Sequence, residues 1–407
     1  MASHSTSRRA RLTAGAALLV LPLAGCASMA KVENREEVSK GLSYQAQYRA
    51  IDGNEPQWLM TAKQQNVQRC SSPLGGSDAI ASIMSNDVPY LSDGDLLAID
   101  VEGDDTFSGT FEVSQDGKLR LPHLGPVSAT GRTIDEVERS VSKALVAGSF
   151  YNVAPRVSVR IQDTAPARVF VSGAVFNAGA VSVGGSSGPD ADQLRKQAVG
   201  GTSDGRRLSR ALQSAGGIRP DADLSNVAII RNGKTLAVDA RNAMNGMPYD
   251  DMILLDGDHI KVASLTCFQE ALVAPSPVTA PGVKVFMSNL TQPASSNASS
   301  AIGKEARELR YGTRFLDAVV GMNCMGGTKM VNANRSAVLI SRNPISGESI
   351  VIERNIEQLL RDADRDDSNP FMMPGDAMAC YDSTATNVIE IARGFSTVAT
   401  VTALLSN

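Results

Sequence analysis

Residues 91–145 read LSDGDLLAIDVEGDDTFSGTFEVSQDGKLRLPHLGPVSATGRTIDEVERSVSKAL, and this stretch decides the fold of the first folded part of the chain. Its first half contains three short runs with the alternating or β-rich composition of strands. These runs are LLAIDV at 96–101, GTFEVS at 109–114 and KLRLP at 118–122. Before the third run, Asp116-Gly117 predicts a hairpin turn, because glycine adopts positive φ without strain.

The second half of the stretch predicts a helix, and a strand follows it. Thr133 and Glu136 have the spacing of a capping box, in which each side chain accepts a hydrogen bond from the other residue's backbone N–H. Apolar side chains then recur at helical spacing, at Ile134, Val137, Val141 and Leu145. Pro155 ends this region and RVSVRIQ at 156–162 predicts a strand. The order strand, hairpin, helix, strand indicates one small α+β domain.

The order and spacing of several residues give this domain a specific resemblance. They are Gly94-Asp95 before the first strand, Asp116-Gly117, Leu121-Pro122 with Gly125, Thr133 with Glu136, and Pro155. The region resembles the polysaccharide-export domain of the outer-membrane polysaccharide export family. The resemblance implies an export domain over residues 88–164.

The rest of the chain contains an internal repeat. Four pairs of segments correspond: 169–175 with 283–289, 208–218 with 315–327, 226–234 with 336–344, and 254–262 with 372–380. Each copy predicts a strand, a polar loop, a helix, two strands, a Gly-Asp pair and a last strand. The copies resemble the soluble ligand-binding β-grasp (SLBB) module, which in the same family follows the export domain twice. The modules are assigned to 165–266 and 280–382.

The N-terminus has the features of a targeting segment. Arg8, Arg9 and Arg11 precede a short apolar run, and Leu23-Ala24-Gly25-Cys26 follows it. This resembles a bacterial lipobox, which implies cleavage after a signal peptide of residues 1–25 and a diacylglycerol on Cys26. The alternative is an ordinary secretory signal that happens to contain a cysteine. Ala27 implies release to the outer membrane, and residues 26–87 are interpreted as an extended leader.

Export places the other four cysteines in a compartment that permits disulfides. They are Cys70, Cys267, Cys324 and Cys380; their spacing matches no zinc pattern, and three pairings are open. Cys324 and Cys380 fall in the second repeat, after its helix and in its last strand, so we predict that they pair. Cys70 with Cys267 would then join the leader to the end of the first repeat. Ser214 and Val262 are the corresponding residues of the first repeat.

Composition argues against nucleic-acid binding and shows no catalytic pattern. The net charge is −4, the pI is about 5.6 and aromatic residues make up 4% of the chain. The acidic group Asp100, Glu102, Asp104 and Asp105 is interpreted as a solvated loop rather than a glycosidase pair or calcium site. We expect no catalytic residue, metal or cofactor.

Three further patterns receive structural interpretations. His123 and His259 are interpreted as polar loop histidines, and no nucleophile-elbow pattern marks a serine. The sequence GGTSDG at 200–205 lacks the context of a phosphate-binding loop. Loops 184–207 and 292–304 occupy equivalent positions in the repeats, where they contact neighbouring copies or glycan, or serve as flexible filler. Finally, Gly-Asp recurs before strands, which predicts a turn rather than a ligand site: Gly94-Asp95, Gly257-Asp258 and Gly375-Asp376.

Residues 385–407 form a predicted amphipathic helix. One face carries Thr386, Glu390, Arg393, Thr397 and Thr400; the other carries Val388, Ile391, Phe395, Val398, Ala399, Thr402 and Leu405. A helix from 386 to 407 is about 33 Å long, close to the ~30 Å of bilayer hydrocarbon. A helix lying on the membrane or packed on a core is an alternative. In a ring of copies, the first face lines water and Val388, Ile391, Phe395, Val398 and Leu405 face lipid, as in the resembled family.

The predicted fold is therefore α+β, with an export domain, two β-grasp-like modules and a C-terminal transmembrane helix assembled as a ring. The resemblance implies a lipid-anchored outer-membrane translocon subunit in a homo-oligomeric ring, an octamer by family precedent. Its cargo is a capsular or exopolysaccharide, and its partner is an inner-membrane copolymerase or exporter. The alternative is a periplasmic glycan-binding outer-membrane lipoprotein without a pore. A glycan-cleaving enzyme that uses the acidic group is a remote third interpretation.

Overall fold

The structure, a computed structural model, describes residues 90–184, 204–289, 307–322, 335–345, 349–361 and 368–381, with residues 45, 324 and 347. It has the mixed α+β fold expected from the sequence, with small sheets and few helices. The strands are β1 (Leu96–Val101), β2 (Asp104–Glu112), β3 (Lys118–Leu119), β4 (Val127–Ser128), β5 (Val157–Asp163), β6 (Ala167–Gly173), β7 (Gly179–Val183), β8 (Val227–Arg231), β9 (Lys234–Val238), β10 (His259–Val262), β11 (Val283–Asn289), β12 (Arg307–Leu309), β13 (Ser336–Arg342), β14 (Ser349–Asn355) and β15 (Ala377–Tyr381). The helices are α1 (Ile134–Ala147), α2 (Leu208–Ser214), α3 (Phe315–Gly321) and α4 (Ile356–Arg361).

The first unit has a three-stranded antiparallel sheet in the order β2-β1-β5. Helix α1 covers this sheet with Val137, Val141 and Leu145, all fully buried. The predicted capping box is confirmed: the Thr133 hydroxyl accepts from the Glu136 N–H, and the Glu136 carboxylate accepts from the Thr133 N–H. The prediction of a hairpin between 109–114 and 118–122 is wrong as a strand pairing, because β2 pairs with β1 and β3 pairs with β4. The turn itself is present, since Gly117 has a φ of 74° and its N–H donates to the Ser114 carbonyl at 2.8 Å.

The two later units share one sheet topology. Their five-stranded sheets have the orders β7-β6-β10-β8-β9 and β12-β11-β15-β13-β14. In each, the first long strand runs parallel to the last, and all other pairs are antiparallel. A parallel pair needs a long crossover, and a helix, α2 or α3, lies within each crossover. When the two sheets are aligned by strand register, Phe286 occupies the position of Phe170, and Ile340 occupies the position of Ile230.

The sequence patterns did not predict strands β4, β7 and β12 or helix α4, and one pair of residues was misaligned. The edge strands β7 and β12 fall outside the four repeated segments, and β12 has only three residues. In the second unit the Cys324 N–H donates to Val319, and in the first the Gly217 N–H donates to Leu212. These matching bonds place Gly217, not Ser214, at the position of Cys324. A side chain would not fit at Gly217, since a Cβ there would lie 2.1 Å from the Ala280 nitrogen.

Membrane-spanning segments were expected only in the C-terminal tail. In the parts of the chain that the structure describes, no helix combines the length and apolar character needed to cross a membrane. The tail helix at 385–407, the signal peptide and most of the leader lie outside the described residues.

Candidate functional site: the Gly-Asp turns and the unit junctions

The three Gly-Asp pairs form the same turn. Gly94, Gly257 and Gly375 have φ values of 83°, 81° and 86°. In each turn the aspartate N–H donates to the carbonyl three residues earlier, at 3.2, 3.2 and 3.1 Å. The aspartate carboxylate accepts from the N–H of that same earlier residue, at 2.8, 2.9 and 2.8 Å. Positive φ at the third position is the signature of a type II turn, so the prediction of a turn is confirmed.

The three turns differ in the partner of the aspartate. Asp95 binds Arg206 through three hydrogen bonds of 3.1 to 3.3 Å, and both side chains are fully buried. Asp258 binds Arg231 in a bidentate pair at 2.9 and 2.6 Å. Ser341 occupies the position of Arg231 in the second five-stranded sheet. Its hydrogen bond lowers the pKa of Asp376, but burial raises that pKa by more.

Burial sets the electrostatic state of these aspartates. Burial raises the pKa of Asp95, and the Arg206 charge opposes the rise without cancelling it. Burial raises the pKa of Asp376 to about 7, with only hydrogen bonds from Ser341 and Met373 opposing it. Among the described residues no cationic side chain opposes this rise, so Asp376 changes charge near neutral pH.

The Asp95 turn joins the first unit to the second. Asp95 belongs to the loop before β1, whereas Arg206 lies in a short 3-10 helix at Asp204–Arg206. The same carboxylate accepts from the Ala165 N–H at 2.9 Å, and the Asp256 N–H donates to the Ser92 hydroxyl at 3.1 Å. A glycine is required at 184, because a Cβ there would lie 2.4 Å from Cγ of Arg206. Arg206 lies in loop 184–207, which was expected to contact neighbouring copies or glycan or to serve as filler, and no motif marked its role.

A second junction links the two five-stranded units. Phe176 and Tyr311 form an edge-to-face pair, and Phe268 stacks on Phe371, each with ring centroids 6.3 Å apart. Arg314 extends this contact, with its guanidinium 2.6 Å from the Glu270 carboxylate and 4.2 Å from the centre of the Phe371 ring. The three units are thus connected in series by buried or aromatic contacts.

One leader residue is described, and it docks on the last unit. The buried Gln45 side chain donates to the Phe371 carbonyl and accepts from the Phe371 N–H, both at 3.0 Å. These two bonds satisfy both backbone hydrogen-bonding groups of Phe371, as a neighbouring strand would. The contact spans 326 residues of sequence, which fits a leader that runs past the other units.

The acidic group lies on a hairpin, not in a loop after a strand as expected. Asp100 is in β1, Glu102 is in the turn, and Asp104 and Asp105 begin β2. The Asp104 carboxylate accepts from the Tyr151 hydroxyl at 2.6 Å and from the Thr106 N–H, which lowers the Asp104 pKa. A glycosidase general acid needs a raised pKa, so this carboxylate is unsuited to that role. Within the described ranges, no group of His, Cys, Asp and Glu has the arrangement of a metal site.

The two histidines have different settings. His123 occupies a turn with a φ of 59°, as a loop histidine does. His259 is the first residue of β10 rather than a loop residue, and its Nε2 lies 2.9 Å from the Ser172 hydroxyl. That hydroxyl also lies 3.3 Å from the Ile260 carbonyl. In the described residues no carboxylate binds the other ring nitrogen, so this pair lacks the orienting acid of a hydrolase triad.

The cysteines of the second five-stranded unit are joined. Cys324 and Cys380, the pair predicted from the sequence, form a disulfide with Cα atoms 6.0 Å apart. It connects the segment after α3 to β15, inside the core of the unit. Cys267 is also disulfide-bonded, and its pairing with Cys70 stays a prediction.

The remaining predicted sites lie outside the described residues. They are the lipidation site Cys26, most of loop 184–207, loop 292–304 and the two faces of the tail helix. The predicted roles of Glu390, Arg393, Thr397 and Thr400 in lining a pore therefore stay predictions, as do those of the lipid-facing residues.

Comparison with known families bears on the first unit. Residues 85–162 match the family described as polysaccharide biosynthesis/export protein. The match spans the β2-β1-β5 sheet, the β3-β4 ribbon and α1, and it ends just before the junction at Ala165. The family is one of transport and export. The chain therefore carries a polysaccharide biosynthesis/export domain, consistent with a protein of the outer-membrane polysaccharide export family.

Proposed function

We propose that this protein is a subunit of an outer-membrane translocon that exports a capsular or exopolysaccharide from the periplasm. The observation that carries the proposal is the export domain at residues 85–162. The lipobox-like sequence ending at Cys26 supports the proposal that the chain is exported and lipid-anchored. No bond of the glycan is made or broken in this role; the protein supplies a conduit.

The links between units support an assembly of stacked rings. A ring needs each subunit to keep a fixed shape, because every copy must present the same two surfaces to its neighbours. The Asp95–Arg206 pair fixes the export domain to the next unit, and the contact between Phe176 and Tyr311 joins that unit to the last. The two five-stranded units serve as SLBB modules in the proposed ring.

The tail supplies the membrane part of the proposed conduit. Ring closure lets the stripe with Glu390 and Arg393 meet water while Ile391, Phe395 and Val398 meet lipid. Each helix satisfies its own backbone, as the bilayer requires. Glu390 and Arg393, three residues apart, can also pair within a helix or between copies.

Electron microscopy of the detergent-extracted protein tests the proposal directly. Ring-shaped particles with a central channel are expected. Deletion of residues 386–407 should leave soluble rings and abolish export of the glycan, and Cys26→Ser should abolish acyl labelling. Monomers without a channel, together with normal glycan binding, would instead establish the alternative of a periplasmic glycan-binding lipoprotein.

Labelling at two neighbouring positions tests the faces of the tail. Thr397→Cys should react with a water-soluble thiol reagent in intact rings, and Val398→Cys should be shielded by lipid. Phe395→Asp should block insertion, because a charge would enter hydrocarbon, whereas Thr397→Asp should be tolerated. Equal labelling at positions 397 and 398 would remove the pore-lining assignment.

A further inference from the structure

The outward face of the second five-stranded sheet carries a row of apolar side chains. Strand side chains alternate between the two faces of a sheet, and the inward ones, such as Leu339, are fully buried in the core. One outward row, here called the outer row, crosses four neighbouring strands in register: Phe286, Ala377, Ile340 and Val351. Phe286 and Ile340 are 58% and 45% exposed. An antiparallel sheet usually presents polar side chains on such a face, so the outer row marks an interaction surface.

The first five-stranded unit has polar side chains in the matching row. His259 occupies the position of Ala377, and its Nε2 lies 2.9 Å from the Ser172 hydroxyl. Thr235 occupies the position of Val351. This sheet topology therefore accepts a row interrupted by polar side chains, and the continuous apolar row is a feature of the second unit.

The chain leads from this sheet directly into the predicted tail helix. Strand β15 is the middle strand of the sheet, and it ends at Tyr381. The predicted helix begins at residue 385, and an extended chain spans the four steps between them in about 14 Å at most. Asp382, Ser383 and Thr384 are of the types favoured in turns and at helix N-caps. A helix that begins there starts close to the sheet, after a linker suited to turning it back over the outer row.

The spacing of apolar residues along the tail fits the outer row. Ala377 precedes Tyr381 by four residues, which is about 13 Å along β15. Phe395 follows Thr386 by nine residues, which is about 14 Å along a helix. A helix that runs back over β15 therefore brings Phe395 above Ala377. Because alanine is small and its neighbours in the outer row are large, the middle strand forms a shallow trough that accepts this ring.

We propose that the outer row is the docking surface for the chain's own tail before the tail enters the membrane. The helix face with Ile391, Phe395 and Val398 is buried on the sheet while the protein crosses the periplasm, and in lipid after insertion. The inference rests on the proposed function, in which the same helix spans the outer membrane. Sheet and lipid compete for one set of apolar side chains, so the docked and inserted states exclude each other.

Covalent connection favours the tail over a second copy of the chain or a lipid surface as the occupant. A short linker makes docking intramolecular, with an effective concentration in the millimolar range. Association with a separate molecule costs translational and rotational freedom, and an attached segment avoids most of that cost. Docking also removes two apolar surfaces from water in one step, the outer row and the helix face.

Photo-cross-linking of the full chain in a pulse–chase tests the docking surface. The chain carries p-benzoylphenylalanine in place of Phe286, and the control carries it in place of Phe170, which has the same position in the first sheet and is 45% exposed. Trypsin cuts after Arg393, so the expected product joins residue 286 to the peptide 394–407 within one chain of monomer mass. Its yield should fall about tenfold between newly exported chains and chains extracted from the outer membrane, because insertion removes the tail from the sheet.

Two tail variants separate the helix faces in the same experiment. Phe395→Asp should reduce the product from newly exported chains about tenfold, because docking would bury a charge without a partner. Thr397→Asp places the same charge on the opposite face and should leave the yield unchanged.

The docking proposal is overturned by a product at the mass of two chains, by adducts with lipid, by equal yields from positions 286 and 170, or by a yield that does not fall on insertion. Failure of the proposed function is seen separately, by electron microscopy of the unsubstituted protein. If no rings form and residue 286 still cross-links to the tail in a way that depends on Phe395, the docking surface stands and the translocon does not. If rings form and the peptide 394–407 is absent from the products throughout the chase, the translocon stands and the docking surface does not.

Discussion

The two five-stranded units stabilise one turn in two ways. Both place a Gly-Asp turn before the last strand, with the aspartate buried and bound to the backbone. In the first unit Arg231 neutralises Asp258 through a bidentate pair. In the second, Ser341 replaces the arginine and a disulfide joins Cys324 to the same last strand. The same backbone geometry therefore positions the aspartate in both units, while the side chain that faces its carboxylate differs between them.

The Asp95 turn at the domain junction offers the largest expected effect. Arg206→Met removes the cation and leaves a fully buried carboxylate without charge compensation, which should lower the free energy of unfolding by about 3–5 kcal/mol. The double variant Asp95→Asn with Arg206→Met should lose less, because no charge stays buried. Urea unfolding followed by circular dichroism measures both. Equal losses in the single and double variants would contradict the assigned role of the ion pair.

The disulfide should be the next largest contribution, and it is specific to the second unit. Cys324→Ser with Cys380→Ser opens a loop with a sequence separation of 56, which should lower stability by about 2–4 kcal/mol. Limited proteolysis should then cut the second unit before the first. If both five-stranded units of the double variant are cleaved at the same rate, the disulfide is not what protects the second unit from proteolysis.

Arg231→Ser gives the Asp258 turn of the first five-stranded unit the serine that faces Asp376 in the second unit. Asp258 is buried, and Arg231 is 16% exposed, so removal of the cation should lower stability by about 1–3 kcal/mol at neutral pH. The double variant Arg231→Ser with Asp258→Asn should lose less in urea unfolding, because no charge then stays buried without a partner. Equal losses in the single and double variants would show that packing of the Arg231 side chain, rather than its charge, stabilises the turn.

Asp376 should give the second unit a pH dependence of its own. Its folded pKa of about 7 lies above its ordinary value of 3.8, so the folded state binds a proton that the unfolded state releases. Stability from this group is present at low pH and is lost as pH rises through 7, by about 1.4 kcal/mol between pH 6 and pH 8. Asp376→Asn should remove this slope, which unfolding midpoints across that range would measure. A slope unchanged in the variant would assign it to another group.

Local patterns predicted much of the fold. The capping box at Thr133 and Glu136, the turn at Gly117 and the Gly-Asp turns depend on residues no more than three apart, so the sequence shows them directly. The internal repeat was visible because strands and helices keep their apolar periods. The edge strands β7 and β12 were missed, since they are short and half-exposed and lack such a period.

Distant contacts account for what the sequence analysis could not predict. The pairing of Asp95 with Arg206 joins residues 111 apart, and no motif flags the arginine. The bond from Tyr151 to Asp104 likewise joins the loop after α1 to the acidic hairpin, between residues 47 apart. The correct counterpart of Cys324 is Gly217, which emerged only from matching hydrogen bonds.

By itself, the sequence determined the export domain, the repeated α+β units and the turns at Gly-Asp, because backbone preference and periodicity act over a few residues. Tertiary structure alone decided which charges meet. Asp258 binds Arg231, whereas Asp376 binds Ser341, because strand register aligns those positions across the two sheets. A buried carboxylate takes its pKa from whatever lies within a few ångströms of it, and those neighbours come from distant parts of the chain.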